Sequence, residues 1–196
     1  MSFSSQVKEE LSLHITGKKH CLLAELAAIT AFCGTIVISK DERFSLKFTT
    51  ENLAVARKCF TLLKKTYNIN TEILLRYNPR HGNKVYAIYV QDDGDTKKIL
   101  KDIKLIDNYN EICENMSLVD GTLIERNCCK RAFIRGAFLS VGSISDPNKG
   151  YHFEIVCQTK VQAEQLKEIK EKMNGHGMHL NAPPDVNLAT RKVSIS

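Results

Sequence analysis

Two stretches of the chain share one pattern: AELAAITAFCGTIVI, residues 24–38, and RAFIRGAFLSVGSIS, residues 131–145. When Gly34 is set over Gly142, apolar and small residues coincide along both stretches. Each stretch has the apolar spacing of a helix, which ends at the glycine and continues as a short apolar run typical of a strand. The chain therefore contains an approximate internal duplication, in which a helix leads directly into a strand.

A small residue recurs inside each predicted helix, where Ala28 of the first copy falls over Gly136 of the second. Small side chains at corresponding positions let two helix backbones approach closely. The pattern therefore predicts that the two helices pack side by side about a pseudo-twofold axis. The residues that we assign to this packing are Ala28, Gly34, Gly136 and Gly142.

Each copy continues with a turn, a strand of period-two alternation and an amphipathic helix of period near 3.6. The first copy alone continues with a further strand pair and helix. Two helix-hairpin-helix units indicate an α+β fold with two antiparallel sheets, the second of them incomplete. The strands are predicted at 44–48, 70–77, 84–90 and 151–155, and the helices at 3–15, 53–63, 95–103 and 161–169.

The same patterns divide the chain into consecutive segments. We expect an N-terminal helix capped by Ser4 or Ser5, two halves joined by a linker of weak periodicity, and a poorly ordered tail that has lost the pattern. The segments are 1–20 for the N-terminal helix, 21–106 for the first half, 107–122 for the linker, 123–173 for the second half and 174–196 for the tail.

The composition limits the cellular location and the partners. Lys and Arg total 28 against 22 Asp and Glu, and the resulting charge of +6 suits a polyanionic partner without requiring one. The most apolar run, residues 26–38, is shorter than the roughly 20 residues that a membrane span needs. The N-terminus lacks the basic start and apolar centre of a signal peptide. We therefore expect a cytoplasmic protein without membrane contact.

The seven cysteines show no C-x-x-C spacing, which disfavours a disulfide scaffold and a zinc site. Cys128 and Cys129 are adjacent on a predicted helix, so their side chains should not converge on one metal. His176 and His179 lie in the tail without a third ligand nearby in sequence. The prediction is therefore reduced, mostly buried thiols, with no metal and no cofactor.

The paired helices, each closed by glycine and followed by Ser or Thr and an apolar strand, resemble the LAGLIDADG motif of homing endonucleases. RAFIRGAFLSVGSISDPNKGYHFEI, together with MSFSSQVKEELS and AELAAITAFCG, resembles the WhiA family of sporulation and cell-division regulators. The resemblance implies a LAGLIDADG-like fold in a bacterial transcription regulator that associates with DNA. It also implies a second strand pair and a helix-turn-helix domain, which we do not recognise in this sequence.

A LAGLIDADG nuclease carries an acidic residue immediately before the glycine that closes each motif helix, and the two carboxylates hold divalent metal over the scissile phosphates. Cys33 and Val141 occupy those positions here. Magnesium requires hard oxygen ligands, which neither residue offers. Two-metal phosphodiester cleavage therefore cannot be assembled at these positions, and we expect a protein that is not an enzyme.

Basic residues are the candidates for contact with DNA. The strands flanking the helix pair would form a concave face able to span a duplex, and contacts to phosphates would be weak, independent of sequence and sensitive to salt. Solvated helix ends and protected sheet edges are the ordinary alternatives for the same residues. The candidates are Arg76, Arg80 and Lys84 on the strand pair, and Arg126, Lys130, Arg131 and Arg135 on the second motif helix and its approach.

Two other functions stay open at this point. The domain could be a scaffold that binds partners in transcription or cell division without touching DNA. It could also be a metal-dependent nuclease whose acids lie elsewhere in the chain. If the domain is a scaffold, another domain would have to bind the nucleoid. The nuclease is the least favoured of the three functions, because Cys33 and Val141 occupy the positions of the catalytic acids.

Overall fold

The computed structural model describes residues 2–77, 82–113, 118–150, 152–173 and 193–195. Helices and strands follow one another in the predicted order. The helices are α1 Phe3–Leu13, α2 Lys19–Cys33, α3 Leu53–Tyr67, α4 Asp93–Asp102, α5 Asn127–Val141 and α6 Lys160–Glu171. The strands are β1 Gly34–Ile38, β2 Phe44–Thr50, β3 Ile73–Tyr77, β4 Lys84–Val90, β5 Gly142–Ile144, β6 Phe153–Ile155 and β7 Val193–Ile195.

Local hydrogen bonds explain where the observed ends differ from the predicted ones. Helix α3 continues to Tyr67 because Asn68, in the left-handed conformation, donates its N–H to the Lys64 carbonyl and closes the last turn. Helix α4 begins early because the Asp92 side chain accepts from the Asp95 N–H. Helix α1 begins at Phe3 with Ser2 as its cap, so the predicted cap at Ser4 or Ser5 is wrong.

Helices α2 and α5 form the centre of the molecule and make its most extensive contact between elements. A Cβ placed on Gly136 would lie 2.7 Å from the Glu25 carbonyl oxygen and 2.9 Å from the Ala28 Cβ. These distances are shorter than van der Waals contact, so the two backbones meet where a side chain at 136 has no room. The duplicated helices thus pack as a pair, with Ala28 and Gly136 at their closest approach.

Gly34 and Gly142 occupy a different place from the helix contact to which the sequence analysis assigned them. Each is extended and donates its N–H to its own helix, Gly34 to Thr30 and Gly142 to Phe138. A Cβ on Gly34 would lie 2.5 Å from the Thr30 carbonyl oxygen, and one on Gly142 would overlap Phe138. Both glycines therefore allow a helix to pass straight into a strand, and neither separates the two helices.

Within the described ranges, the first sheet has five strands in the order β3-β4-β2-β1-β7. Its inner face buries Leu46, Phe48, Ile88 and Val90, and helices α3 and α4 contact the sheet. The strands are antiparallel except β7, which runs parallel to β1 and corrects the prediction of a purely antiparallel sheet. Of the tail expected to be poorly ordered, residues 174–192 and Ser196 lie outside the described residues.

In the described residues, the second half contains helix α5, one strand pair and helix α6. Strands β5 and β6 pair antiparallel and make a two-stranded sheet within the described part of the chain. The rings of Phe138 and Phe153 stack with their centroids 5.2 Å apart, which joins this hairpin to α5. Leu166 and Ile169 of α6 are buried in the same core. Residues 174–192, in which the sequence shows no further strand pair, lie outside the described residues.

The segment predicted as a linker is packed where it is described. Leu118 and Val119 are buried, and the Gln165 side chain of α6 accepts from both of their N–H groups. The Gln165 amide also donates to the Val119 carbonyl at 2.8 Å. Residues 114–117 lie outside the described part. The connection therefore contributes to the core of the second half and is not a free tether.

Candidate nucleic-acid interface

The ends of the two central helices lie together at an open cleft of about 950 Å3. Cys33 and Val141 line this cleft with Ser140 and with Lys8 of α1. Burial lowers the pKa of the Lys8 ammonium, and burial raises the pKa of the Cys33 thiol while the Ser140 hydrogen bond opposes that change. The helix tips themselves therefore present a thiol, a hydroxyl, methyl groups and a lysine, a set of groups that does not suit a hard divalent cation. The two carboxylates that also line the cleft, Glu9 and Glu51, come from other elements: Glu9 pairs with Arg57, and Glu51 accepts from the Asn83 side chain.

Glu25 is the acidic residue of helix α2, and it is fully buried midway along that helix. Its carboxylate accepts two hydrogen bonds from Arg135, at 2.9 Å to Nε and 2.8 Å to Nη2. The Lys58 ammonium of α3 lies 3.0 Å from the same carboxylate. Both oxygens are thus satisfied inside the core, and Glu25 is not positioned to supply a metal ligand at the tips.

Arg135 corrects one prediction directly. With Arg131, Arg135 was expected to contact phosphates from the second motif helix. In the structure only Arg131 is exposed, whereas the Arg135 side chain is 15% exposed and bound to Glu25. A guanidinium held bidentately by a buried carboxylate is not available to DNA. Arg135 is therefore a residue of the core.

Arg126, Lys130 and Arg131 lie toward the end of α5 that is remote from the helix tips. Because α5 has 15 residues and rises about 1.5 Å per residue, its first turn is about 20 Å from its tip. Lys130 donates to the Glu125 carbonyl at 3.2 Å and to the Asn127 side chain at 3.3 Å. These residues therefore do not form one surface with the cleft.

The first sheet has an open face opposite its buried one, which we define by Thr35, Lys47, Thr49, Arg76 and Tyr89. Thr35 pairs with Lys47, and Lys47 pairs with Tyr89, so alternation places the three on one side. The Lys47 Nζ lies 5.6 Å and the Arg76 Cζ 5.7 Å from the centroid of the Tyr89 ring. Two cations thus flank one aromatic ring on this face.

The three basic residues predicted on the strand pair, Arg76, Arg80 and Lys84, are not shown together on one face. Lys84 pairs with Tyr77, and alternation along β4 places Lys84 on the side of the sheet opposite Tyr89. Arg80 lies outside the described residues. Of that group, Arg76 alone is described on the open face.

The hairpin of the second sheet carries a charge of opposite sign at the matching position. Ser143 pairs with Glu154 in the register in which Thr35 pairs with Lys47. Glu154 accepts from the Ser143 hydroxyl at 2.8 Å and lies 3.2 Å from the His152 Nε2. The Ser143 hydrogen bond, with that of His152, lowers the pKa of the Glu154 carboxyl. The two halves therefore differ electrostatically although their backbones correspond.

Sequence reasoning missed Lys47, Tyr89 and Glu154. The signal for Lys47 was present, because Ser45, Lys47 and Thr49 alternate with buried residues along β2. Glu154 could be matched to Lys47 only from the register of both hairpins.

Four potential metal ligands also meet, at the first turns of α2 and α5: His20, Cys21, Cys128 and Cys129. The prediction that Cys128 and Cys129 do not converge on one point is wrong, because the partner helix supplies the other two side chains. All seven cysteines are free, and four are buried, as predicted. His176 and His179 lie outside the described residues.

Comparison with known proteins identifies the family. Residues 19–106 match the family model of the WhiA N-terminal LAGLIDADG-like domain, and residues 130–191 match that of the WhiA LAGLIDADG-like domain. The chain belongs to the WhiA family. The probable cell division protein WhiA of Lachnoclostridium phytofermentans is 44% identical over 169 residues, and that of Desulforamulus reducens is 39% identical over 172. These alignments cover 86% and 87% of the chain but 54% and 53% of the relatives, so the chain spans about half their length.

Solved WhiA structures share the fold. Full-length DUF199/WhiA from Thermatoga maritima superposes with a TM-score of 0.61 at 19% identity, covering 89% of this chain and 51% of that one. The N-terminal LAGLIDADG domain of DUF199/WhiA gives 0.59 at 16% identity, covering 89% and 76%. The predicted LAGLIDADG-like α+β fold is thereby confirmed. Among the described helices, none has the length and apolar character to cross a membrane.

Proposed function

We propose that this WhiA-family chain is a non-catalytic, DNA-associated transcription regulator that acts in sporulation, cell division and chromosome segregation at the nucleoid. The observation that carries the proposal is the composition of the helix tips, where Cys33 and Val141 stand beside Lys8. A nuclease of this architecture needs paired oxygen anions at that place. Membership in a family whose relatives are named for cell division supports the regulatory role.

The open face of the first sheet is the surface that we assign to DNA. Lys47 and Arg76 bring two cations to one face, and Tyr89 between them offers a ring that can pack against a sugar. Exposed cations of this kind bind the phosphates of the backbone, so the expected targets are phosphates. Glu154 repels a phosphate at the matching position of the second hairpin. Binding by this chain should therefore be weak, independent of sequence and concentrated on the first half.

Charge reversal on the open face tests this assignment. We expect Lys47→Glu to raise the Kd for a mixed-sequence duplex about tenfold and to reduce the slope of log K against log salt by about 1. The physical reason is the loss of one phosphate contact and its released counterion. Fluorescence anisotropy at several salt concentrations measures both quantities.

Lys65→Glu is the matched control, since Lys65 is exposed on α3 and the net charge changes equally. Glu154→Gln should tighten binding in the same assay because it removes the opposing charge. Equal losses of affinity for Lys47→Glu and Lys65→Glu would show that only the net charge matters. The open face could then no longer be assigned as the DNA-binding surface.

A nicking assay tests the absence of catalysis. Supercoiled plasmid incubated with the chain and magnesium or manganese should stay supercoiled at the rate of a protein-free control, because the tips offer no carboxylate to hold the metal. A commercial homing endonuclease on its own target supplies the positive control. Turnover that disappears with chelator would overthrow the proposal.

One observation favours the second candidate, a protein-interaction scaffold. Strand β3 lies at the edge of the five-stranded sheet and exposes Leu75 by 48% and Tyr77 by 64%. Unpaired edge strands with exposed apolar side chains suit pairing with a strand of another protein. An unchanged salt slope in Lys47→Glu, together with loss of a defined transcription or division partner in Leu75→Lys, would favour this candidate.

A further inference from the structure

The ligand atoms of His20, Cys21, Cys128 and Cys129 all lie within 4.8 Å of one another. The His20 Nδ1 is 3.1 Å from the Cys129 sulfur, 3.3 Å from the Cys21 sulfur and 4.0 Å from the Cys128 sulfur. Cys21 and Cys129 are buried, and the other two are partly buried. These four side chains, which we call the base cluster, come from the first turns of α2 and α5, far from the helix tips.

The duplication explains why the base cluster forms. His20 and Cys128 are separated by 108 residues, the interval that also separates the glycines closing α2 and α5. Cys21 and Cys129 are related by the same interval. Each copy of the motif helix thus contributes one adjacent pair, and the side-by-side packing of the helices brings the pairs together. A search for C-x-x-C spacing cannot find a site of this kind.

The donor set and its dimensions suit zinc. Three cysteines and one histidine form one of the tetrahedral sets that hold structural zinc, with Zn–S near 2.3 Å and Zn–N near 2.0–2.1 Å. Tetrahedral bonds of these lengths place sulfur atoms about 3.8 Å apart and nitrogen about 3.6 Å from sulfur. The three nitrogen-to-sulfur distances, 3.1, 3.3 and 4.0 Å, bracket the tetrahedral value, and every sulfur lies within 4.8 Å of the others, so small side-chain rotations would bring all four atoms onto one ion. Soft thiolates disfavour magnesium and calcium.

The charges around the base cluster also favour a metal-thiolate site. Lys18 and Arg126 are the N-cap residues of α2 and α5, and neither helix start has a side-chain cap hydrogen bond. The positive ends of both helix dipoles therefore lie near the cluster. Three thiolates around Zn²⁺ leave one net negative charge, which these cations and helix ends offset. Arg126 lies 3.3 Å from the His20 Nε2 and is exposed, so it can turn away when that nitrogen carries the proton.

We propose that His20, Cys21, Cys128 and Cys129 bind one zinc ion that clips together the first turns of α2 and α5. All four positions of the ion are taken by protein, so the site is structural and not catalytic. Binding displaces the thiol protons and releases them to solvent. The ion fixes the base of the helix pair, and through it the relative placement of the two sheets. This inference is independent of how the open face interacts with DNA.

Zinc alone is the probe for the site. The full chain, reduced and stripped with chelator, should take up one zinc per chain, as counted by elemental mass spectrometry after desalting. Its Tm should rise by about 5 to 10 °C when zinc exceeds its Kd about a hundredfold. Cobalt should give the intense thiolate charge-transfer absorption and the visible bands of a tetrahedral site. Absence of stoichiometric uptake, or uptake without a change in Tm, would overturn the proposal.

Cys128→Ser is the decisive variant because Cys128 is only partly buried and its replacement should fold. We expect it to lose zinc on desalting and to lose the cobalt charge-transfer intensity in proportion to one thiolate. Cys113→Ser, a partly buried cysteine outside the base cluster, should keep both. Far-ultraviolet circular dichroism verifies that each variant is folded. Wild-type zinc content in Cys128→Ser would overturn the assignment. In the unsubstituted chain, a Cys21–Cys128 disulfide whose reduction does not restore zinc uptake would also overturn it.

Discussion

Replacing Glu25 by glutamine will lower the free energy of unfolding by about 3 to 5 kcal/mol. The substitution keeps the size of the side chain and removes its charge, which leaves Lys58 and Arg135 without the carboxylate that they share. Burial already lowers the pKa of the Lys58 ammonium, and Glu25 opposes that change. Two cations left without their shared carboxylate are costly here, because the Lys58 side chain is fully buried and the Arg135 side chain is only 15% exposed.

The effect should extend beyond one contact because four helices meet at this group. Lys58 of α3 also donates to the carbonyls of Leu11 and His14 at the end of α1. Glu25 belongs to α2 and Arg135 to α5. Weakening the centre of this network should therefore loosen the attachment of α1 to the helix pair.

Chemical denaturation monitored by circular dichroism measures the change. Glu9→Gln is the control, since Glu9 pairs with Arg57 at 3.0 Å but the two side chains are 44% and 55% exposed. An exposed pair of this kind contributes less than about 1 kcal/mol. If Glu25→Gln costs no more than Glu9→Gln, the buried group does not hold the helices together.

Replacing Gly136 by valine will destabilise the chain by about 3 kcal/mol. Helix propensity alone would favour a residue other than glycine at this position. The first carbon of any side chain, however, meets the Glu25 carbonyl oxygen at 2.7 Å, and a backbone atom in the middle of α2 cannot rotate away. The helices must separate, and their interface loses contact along its length.

The same denaturation assay measures this change. Gly121→Val is the control, because a Cβ there meets nothing within 4 Å, and its stability should stay within about 1 kcal/mol of the original. Combining Ala28→Gly with Gly136→Ala should cost less than the sum of the two single changes, since the Ala28 Cβ is the second atom in the way. Strict additivity would place the closest approach of the helices elsewhere.

The fold could be predicted because its evidence is local and repeated. The helix that runs through Gly34 into a strand occurs twice, and the alternation of Phe44, Leu46 and Phe48 marks β2 without knowledge of its neighbours. The role of Arg135 could not be predicted in this way. Its partner Glu25 is 110 residues away, and only the crossing of α2 and α5 brings the two together.

The base cluster also depends on a contact between residues that are far apart in the sequence. His20 and Cys128 were each visible in the sequence, and the alignment that matched the closing glycines also matched these two residues. Metal sites are usually sought as short spacings within one segment. The match between two distant segments therefore indicated a site only once the packing of α2 against α5 was known. Candidate sites in duplicated folds are better sought by aligning the two copies first.

The opposite charges of Lys47 and Glu154 give the domain a direction. A half-turn about the pseudo-twofold axis restores the backbone but exchanges a cation for an anion, so the molecule does not look the same from both ends. A palindromic duplex would gain nothing from its own symmetry on such a surface. If the open face binds DNA as proposed, a single chain lies along the duplex in one orientation only.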